Sequence, residues 1–156
     1  QSQDSDECDK YVAYDFVENI WTSGDLARTS GIDRGVFRQP FMVASDGIVY
    51  EHEIGQSHSG AKPYAETGPI SIGTGERLMK VTEVIPDEKT QGDVNLIFKT
   101  RNYPNGAETT HGTYSTANPT SVRFQGRQVR MKVEANQNAD WRVGVMRLDA
   151  RQGSRR

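Results

Sequence analysis

Short runs in which apolar and polar residues alternate constrain this chain more than any other sequence feature. In residues 93–99, Val94, Leu96 and Phe98 face one way, and the polar or charged residues between them mostly face the other. Residues 77–86 alternate in the same manner. We find no apolar pattern with a 3.6-residue period that lasts for three turns, which is what an amphipathic helix needs. The pattern therefore predicts an all-β fold.

Beyond residue 66 the predicted strands are short and evenly spaced, and turn-forming residues separate them. Turns are expected at Asp87-Glu88, at Pro104-Asn105-Gly106 and at Asn118-Pro119. Regular spacing of this kind is typical of an antiparallel β-sandwich, which we predict for residues 67–156. The predicted strands are 67–72, 77–86, 92–101, 108–116, 120–125, 127–135 and 140–149.

The first part of the chain has a different pattern. Residues 1–9 are acidic and polar and are predicted to be a flexible segment, and residues 56–66 are predicted to be a linker rich in Gly and Ser. Between them, residues 36–54 predict a hairpin with its turn at Asp46-Gly47. The sequence from Tyr14 to Trp21 resembles a kelch-type propeller blade, so residues 10–55 are predicted to form propeller-blade-like hairpins. A generic hairpin with an aromatic pair is the alternative.

Charge is distributed unevenly along the chain. The net charge is −2, yet residues 1–60 carry 11 acidic and 4 basic residues, and residues 121–156 carry 3 acidic and 9 basic residues. Such a split favours contact between complementary surfaces or an interaction tail at the basic end.

The single cysteine, Cys8, excludes an intrachain disulfide. No run of residues approaches the roughly 20 apolar positions of a membrane-spanning helix, and a start at Gln1 suggests a processed product or a fragment.

The residues that usually carry chemistry do not form a convincing site. His52 stands between Glu51 and Glu53, and on a strand both carboxylates would point away from it. Neither a nucleophile motif nor a phosphate-binding loop is present. The sequence therefore predicts no catalytic residue, no metal site and no cofactor, and indicates a protein that is not an enzyme.

Several stretches together resemble one protein family. They are NIWTSGDLARTSGIDRGVFRQP (19–40), DGIVYEHEIG (46–55), TGPISIGTGERLMKVTEVIPD (67–87), FKTRNYPNG (98–106) and the closing stretch from Gly126 to Arg156. They are similar to the C-terminal part of the packaged-DNA stabilisation or head–tail hub proteins of short-tailed bacteriophages, with the related nozzle proteins. Members of this family are several times longer than this chain and combine a propeller-like body with an additional β domain.

The resemblance implies a structural virion component of a phage tail or head–tail junction. Such a protein assembles into a ring that closes the head and conducts DNA. The implied partners are other tail or portal-proximal subunits and further copies of the chain, with transient passage of DNA and no membrane. The implied location is the virion tail, after synthesis in the bacterial host cytoplasm.

The closing stretch contains the basic residues that we predict to contact other subunits. Strand parity pairs Val129, Met131 and Val133 with the apolar residues Trp141, Val143 and Val145 in a core, which turns Arg130 and Lys132 outward. Because no aromatic residue accompanies them, contact with an acidic protein surface is favoured over nucleic acid. The predicted subunit-interaction residues are Arg127, Arg130, Lys132, Arg142, Arg151, Arg155 and Arg156.

Two other functions remain open on the sequence alone. A carbohydrate-binding β-sandwich, as in an adhesin or receptor-binding domain, would use exposed aromatic residues such as Tyr64, Tyr103 and Tyr114. A fragment of a propeller-type glycan hydrolase would need two carboxylates across a cleft, and Asp33, Asp46, Glu51 and Glu53 are the candidates.

Overall fold

The computed structural model describes residues 3–56, 58, 62–72, 74, 76–87, 93–116 and 119–153. All regular elements in these ranges are β-strands, and all of their pairings are antiparallel. The prediction of an all-β fold is therefore confirmed. The chain divides into two compact units, Gln1–Gln56 and Ser57–Arg156, and the division falls inside the predicted linker. Within the same ranges no helix is long and apolar enough to cross a membrane.

The first unit contains a two-stranded hairpin and a small three-stranded sheet. The hairpin is formed by β1 (Lys10–Asp15) and β2 (Ile20–Asp25), and the sheet has the order β3 (Ser30–Ile32), β4 (Phe41–Val43) and β5 (Val49–Glu51). The hairpin turn follows from its sequence, because Asp15 Oδ1 accepts hydrogen bonds from the backbone N–H groups of Val17 and Glu18 at 2.9 and 3.1 Å.

The predicted turn at Asp46-Gly47 is present between β4 and β5. Gly47 has a φ of 82°, which glycine adopts without a steric penalty. The Asp46 carboxylate accepts a hydrogen bond from the backbone N–H of Ile48 at 2.9 Å. The arms are shorter than predicted, however, since each pairs over 3 residues. Residues 36–39 lie in bends and not in an extension of β4.

The second unit contains two sheets. The larger sheet has the order β10-β9-β12-β6 with β7 also paired to β12, and the smaller sheet has the order β11-β8-β13. The strands are β6 (Tyr64–Glu66), β7 (Ile70–Ser71), β8 (Met79–Pro86), β9 (Val94–Arg101), β10 (Thr109–Ser115), β11 (Thr120–Gly126), β12 (Gln128–Ala135) and β13 (Met146–Gln152).

One apolar core joins the two sheets of the second unit. Strand β9 alternates regularly between buried and half-buried positions, so Val94, Leu96 and Phe98 point into the core and Ile97 points to the other face. Phe98 of β9 stacks on Phe124 of β11 with ring centroids 4.8 Å apart. All of the buried hydrophobic residues in the described ranges belong to this unit: Ile72, Val81, Val84, Val94, Leu96, Phe98, Val122, Phe124, Val129, Val133 and Ala135.

The predicted pairing of the closing stretch is wrong. Strand β12 pairs with β9 over its full length, from Gln128 opposite Arg101 to Ala135 opposite Val94, and its other edge is taken by β6 and β7. Because both edges of β12 are occupied, the next strand cannot join it. Strand β13 instead pairs with β8 in the smaller sheet.

Three strand boundaries and one burial assignment also differ from the prediction. The predicted strand 67–72 is reduced to β7, Ile70–Ser71. Tyr64–Glu66, which the sequence placed in the linker, forms β6 and pairs with β12. The last strand begins at Met146 and not at residue 140, because residues 140–145 form no continuous ladder and contain only an isolated bridge at Arg142. Trp141 and Val143 pack against the core as expected, but Val145 is 63% exposed.

Candidate interaction surfaces

The outer face of the larger sheet carries a network of alternating charges, which we call the charge ladder. Glu66 of β6 lies between Lys99 of β9, at 3.0 Å, and Arg130 of β12, at 3.4 Å. Arg130 also reaches Glu108, at 3.3 Å. The antiparallel registers of β6, β12 and β9 bring these side chains together, since Lys132 lies opposite Glu66 and Arg130 lies opposite Lys99. Arg130 therefore meets acidic residues of its own unit.

Lys132 has a similar environment two residues further along β12. Its ammonium contacts the Glu134 carboxylate and lies 4.4 Å from the ring centroid of Tyr64, which is within the range of a cation–π contact. Arg130 and Lys132 both point outward, as strand parity predicted. Their charges are balanced within the sheet, so an external acidic partner would have to compete with Glu66, Glu108 and Glu134.

The remaining predicted interaction residues are dispersed. Arg127 lies at the bend between β11 and β12, with its guanidinium 5.4 Å from the ring centroid of Tyr103. Arg142 is exposed beside a groove of about 370 Å³ that Met131, Trp141 and Val143 help to line. Arg151 is exposed on β13. Arg155 and Arg156 lie outside the described residues.

The outer face of the smaller sheet carries basic residues of a different kind. We call it the cationic face and define it by Lys80 of β8, Arg123 of β11, and Arg147 and Arg151 of β13, all of which are exposed. The sequence prediction named Arg151 alone among them. The signal for the other three was the alternation of β8, β11 and β13, which places them opposite the core residues Val81, Val122 and Leu148.

The first unit exposes large apolar side chains instead of burying them. On one face of the β1–β2 hairpin, Val12 is 70% exposed, Tyr14 45% and Trp21 69%. Tyr14 lies directly opposite Trp21, with ring centroids 4.5 Å apart. We call these three residues the apolar hairpin face. Phe16 and Val17, in the turn of the same hairpin, are also exposed.

A polar cluster connects the end of β5 to the segment before β3. The Nε of Arg28 donates a hydrogen bond to Nε2 of His52 at 3.1 Å, and the Arg28 guanidinium lies 4.3 Å from the ring centroid of Tyr50. Burial and the positive charge of Arg28 lower the pKa of His52, and Glu53 opposes the shift. His52 is therefore a neutral hydrogen-bond acceptor in this cluster.

His111 occupies the space between the two sheets of the second unit. Its Nε2 lies 2.8 Å from Oγ1 of Thr100, and its ring stacks on Phe124 with centroids 5.5 Å apart. Burial lowers the pKa of His111. These contacts are those of a packed residue that supports the core.

The three tyrosines proposed for a carbohydrate platform do not share a surface. Tyr64 and Tyr103 are about 60% exposed, but they lie near opposite ends of β12. Tyr64 pairs with Glu134, and Tyr103 follows Arg101, which pairs with Gln128. Six residues along β12 separate these positions by about 20 Å. Tyr114 packs against the core near Phe98. The arrangement does not favour a single sugar-binding face.

The carboxylates proposed for glycan hydrolysis are mostly engaged by their own segments. Asp33 and Asp46 accept hydrogen bonds from the backbone N–H groups of Arg34 and Ile48. Glu53 pairs with Arg34 at 3.3 Å. In the part of the chain that the structure describes, no group of three or more His, Cys, Asp or Glu residues is placed to hold a metal ion.

Comparison of the chain with protein-family models, with curated proteins and with solved structures gave no match. The similarity to phage hub proteins therefore rests on the sequence stretches quoted above.

Proposed function

We propose that this chain is a structural component of a phage tail or head–tail junction and that it functions by assembly. In this proposal the first unit is a propeller-blade-like module that is completed by neighbouring subunits, and the second unit is a β-sandwich. The observation that supports assembly most strongly is the contrast between the two units in apolar burial. The phage context itself comes from the sequence resemblance.

The two units differ greatly in how many of their large hydrophobic residues are exposed. Fourteen of the large hydrophobic residues in the first unit are exposed, against four in the described part of the second unit, where all of the buried hydrophobic residues lie. A two-stranded hairpin is at best marginally stable in water without a packed face. Contiguous apolar patches on a protein surface commonly mark interaction sites. The first unit therefore exposes apolar side chains of the kind that a neighbouring subunit covers in an assembly.

The apolar hairpin face is the part of this unit best suited to a partner. Val12, Tyr14 and Trp21 project from one side of the hairpin, because Tyr14 and Trp21 are directly opposite each other and Val12 is two residues from Tyr14. Covering these partly exposed side chains would contribute about 1–2 kcal/mol each. A contact of this size suits a subunit held by several neighbours, as in a ring.

The test uses phage particles whose genome encodes this chain. We expect mass spectrometry of purified particles to detect the chain, and we expect genes for a portal protein and a terminase beside its gene. Complementation with Trp21→Ser should lower incorporation at least tenfold. Tyr103→Ser removes an aromatic residue of similar exposure from the second unit and serves as the matched control.

Three measurements could contradict the proposed function: the composition of purified particles, the incorporation of the variants and the identity of the neighbouring genes. Absence of the chain from purified particles would contradict a virion role. Equal incorporation of the Trp21→Ser and Tyr103→Ser variants would show that the apolar hairpin face is not a docking surface. Neighbouring genes for glycan utilisation would favour the carbohydrate-related alternatives.

A further inference from the structure

The cationic face brings like charges together across its strands. Lys80 lies directly opposite Arg151 in the β8–β13 pair, and on its other side it faces Gln125 of β11. Directly opposed residues share a face of the sheet, with Cβ atoms about 5 Å apart, and like charges in that position are unfavourable. Arg123 and Arg147 add two further positive charges to the same face.

This face differs sharply from the charge ladder on the other sheet. There, Lys99, Arg130 and Lys132 each have a carboxylate within 3.4 Å. Within the described strands and loops, none of the four cationic-face residues has an acidic group within the 4.0 Å limit of an ion pair. Their positive charges therefore remain available to a partner outside the second unit.

The charge pattern of the face favours a protein partner over nucleic acid. Glu83 and Asp149 lie opposite each other between the Lys80–Arg151 row and Arg147, and this acidic row would repel a continuous line of phosphates. The described strands also place no aromatic residue on this face to stack on bases. A surface with mixed but predominantly negative charge is a better complement.

The chain itself contains such a surface. Residues 1–56 have a net charge of −7, from 11 acidic and 4 basic residues, and residues 57–156 have a net charge of +5, from 10 acidic and 15 basic residues. Asp4, Asp6 and Glu7 are exposed at the start of the first unit. In the described part of that unit, Lys10 and Arg34 pair with other carboxylates, those of Asp25 and Glu53.

We propose that the cationic face of one copy binds the acidic first unit of a second copy, through Asp4, Asp6 and Glu7. This contact deepens the proposed assembly role and rests on it. It joins two different surfaces, so it is a head-to-tail contact, which generates a closed ring or an open filament according to its rotation. Because the contact is electrostatic and exposed, it weakens as ionic strength rises.

The first experiment measures self-association of the full chain by sedimentation velocity at low and at high salt. We expect Lys80→Glu combined with Arg151→Glu to weaken self-association at least tenfold. The control is Lys62→Glu, which reverses an exposed charge elsewhere in the second unit and should leave association within twofold. The neutral pair Lys80→Gln and Arg151→Gln covers the case in which the reversed variant fails to fold, and it should give an intermediate loss.

The second experiment is a charge swap. Asp4→Lys, Asp6→Lys and Glu7→Lys together should abolish self-association, and mixing this variant with the Lys80→Glu, Arg151→Glu variant should restore association between the two. Restoration occurs only if the two sets of charges meet.

The proposed contact would be wrong if the wild-type chain stays monomeric at low salt, or if self-association survives the cationic-face reversal. It would also be wrong if the wild type binds duplex DNA and the same reversal abolishes that binding. A chain that is incorporated into phage particles but stays monomeric in solution would refute this contact and leave the proposed function intact.

Discussion

Replacing Glu66 by Gln tests the charge ladder most directly. Glu66 has a side chain that is 18% exposed, and its carboxylate contacts Lys99 at 3.0 Å and Arg130 at 3.4 Å. Glutamine keeps the size and the capacity to accept a hydrogen bond but removes the charge. Arg130 would retain Glu108 at 3.3 Å, whereas the half-buried ammonium of Lys99 would lose the Glu66 carboxylate.

The size of the effect follows from the burial of the three groups. Exposed ion pairs contribute up to about 1 kcal/mol, and breaking a fully buried pair costs about 3–5 kcal/mol. The side chains of Lys99 and Arg130 are 29% and 33% exposed, which places Glu66 between these limits and nearer the lower one. We therefore expect a loss of about 1.5 kcal/mol, or about 6–12 °C in the melting temperature of a unit of this size.

Thermal and urea unfolding of the second unit provide the assay. A double-mutant cycle with Lys99→Met isolates the Glu66–Lys99 coupling, which should be about 0.5–1 kcal/mol and should fall as salt is added. Glu76→Gln changes an exposed carboxylate of the same unit and is the control. A melting temperature for Glu66→Gln equal to that of the control, with zero coupling to Lys99, would show that the Glu66 carboxylate does not stabilise the second unit.

Three further predictions concern the core, a turn and pH. Phe98→Ala removes a fully buried ring that stacks on Phe124 and should destabilise the second unit by about 3–5 kcal/mol in urea unfolding; a loss below 1 kcal/mol would contradict the packing. Gly47→Ala imposes a side chain at a φ of 82° and should destabilise the β4–β5 hairpin by about 1 kcal/mol, seen as faster amide exchange in the first unit; unchanged exchange would argue against that turn. The pKa of His52 is lowered in the fold, so the Arg28–His52 contact should stabilise the unit fully above pH 6.5, the ordinary value, and lose this contribution as pH falls through the lowered value. A titration of His52 by NMR that gave a pKa of 6.5 or higher would contradict this.

Most strands of the second unit could be predicted because their alternation is directly visible in the sequence. Strands β9 and β11 bury every second residue, and Val94, Leu96 and Phe98, which alternation placed on one face of β9, are fully buried. Strand β8 departs from simple alternation, because a register shift in its pairing lets both Val81 and Val84 enter the core. In the first unit the same rule overextended β4, because residues 36–39 have apolar members but lie in bends. Alternation predicts which way a side chain points, and it does not predict how far a ladder of hydrogen bonds extends.

Strand partners and charge partners could not be predicted in the same way. The sequence paired β12 with the segment that follows it, whereas β12 pairs with β9, which precedes it by about thirty residues. Neighbouring strands in sequence are often neighbours in space, but not always. The charge partner of Arg130 was missed for the same reason, since Glu66 lies on a three-residue strand inside the predicted linker. The outward direction of the Arg130 side chain was correctly predicted from strand parity alone.

On the proposed function, the apolar hairpin face is covered by a neighbouring subunit in an assembled particle. Site-specific photo-cross-linking detects such a neighbour, with benzoylphenylalanine introduced in place of Trp21 and, as the control, in place of Tyr103. Irradiation of assembled phage particles should join position 21 to another virion subunit, and position 103 should give at most a trace of product. Particles that contain the chain but give no cross-link from position 21 would show that no subunit covers the apolar hairpin face.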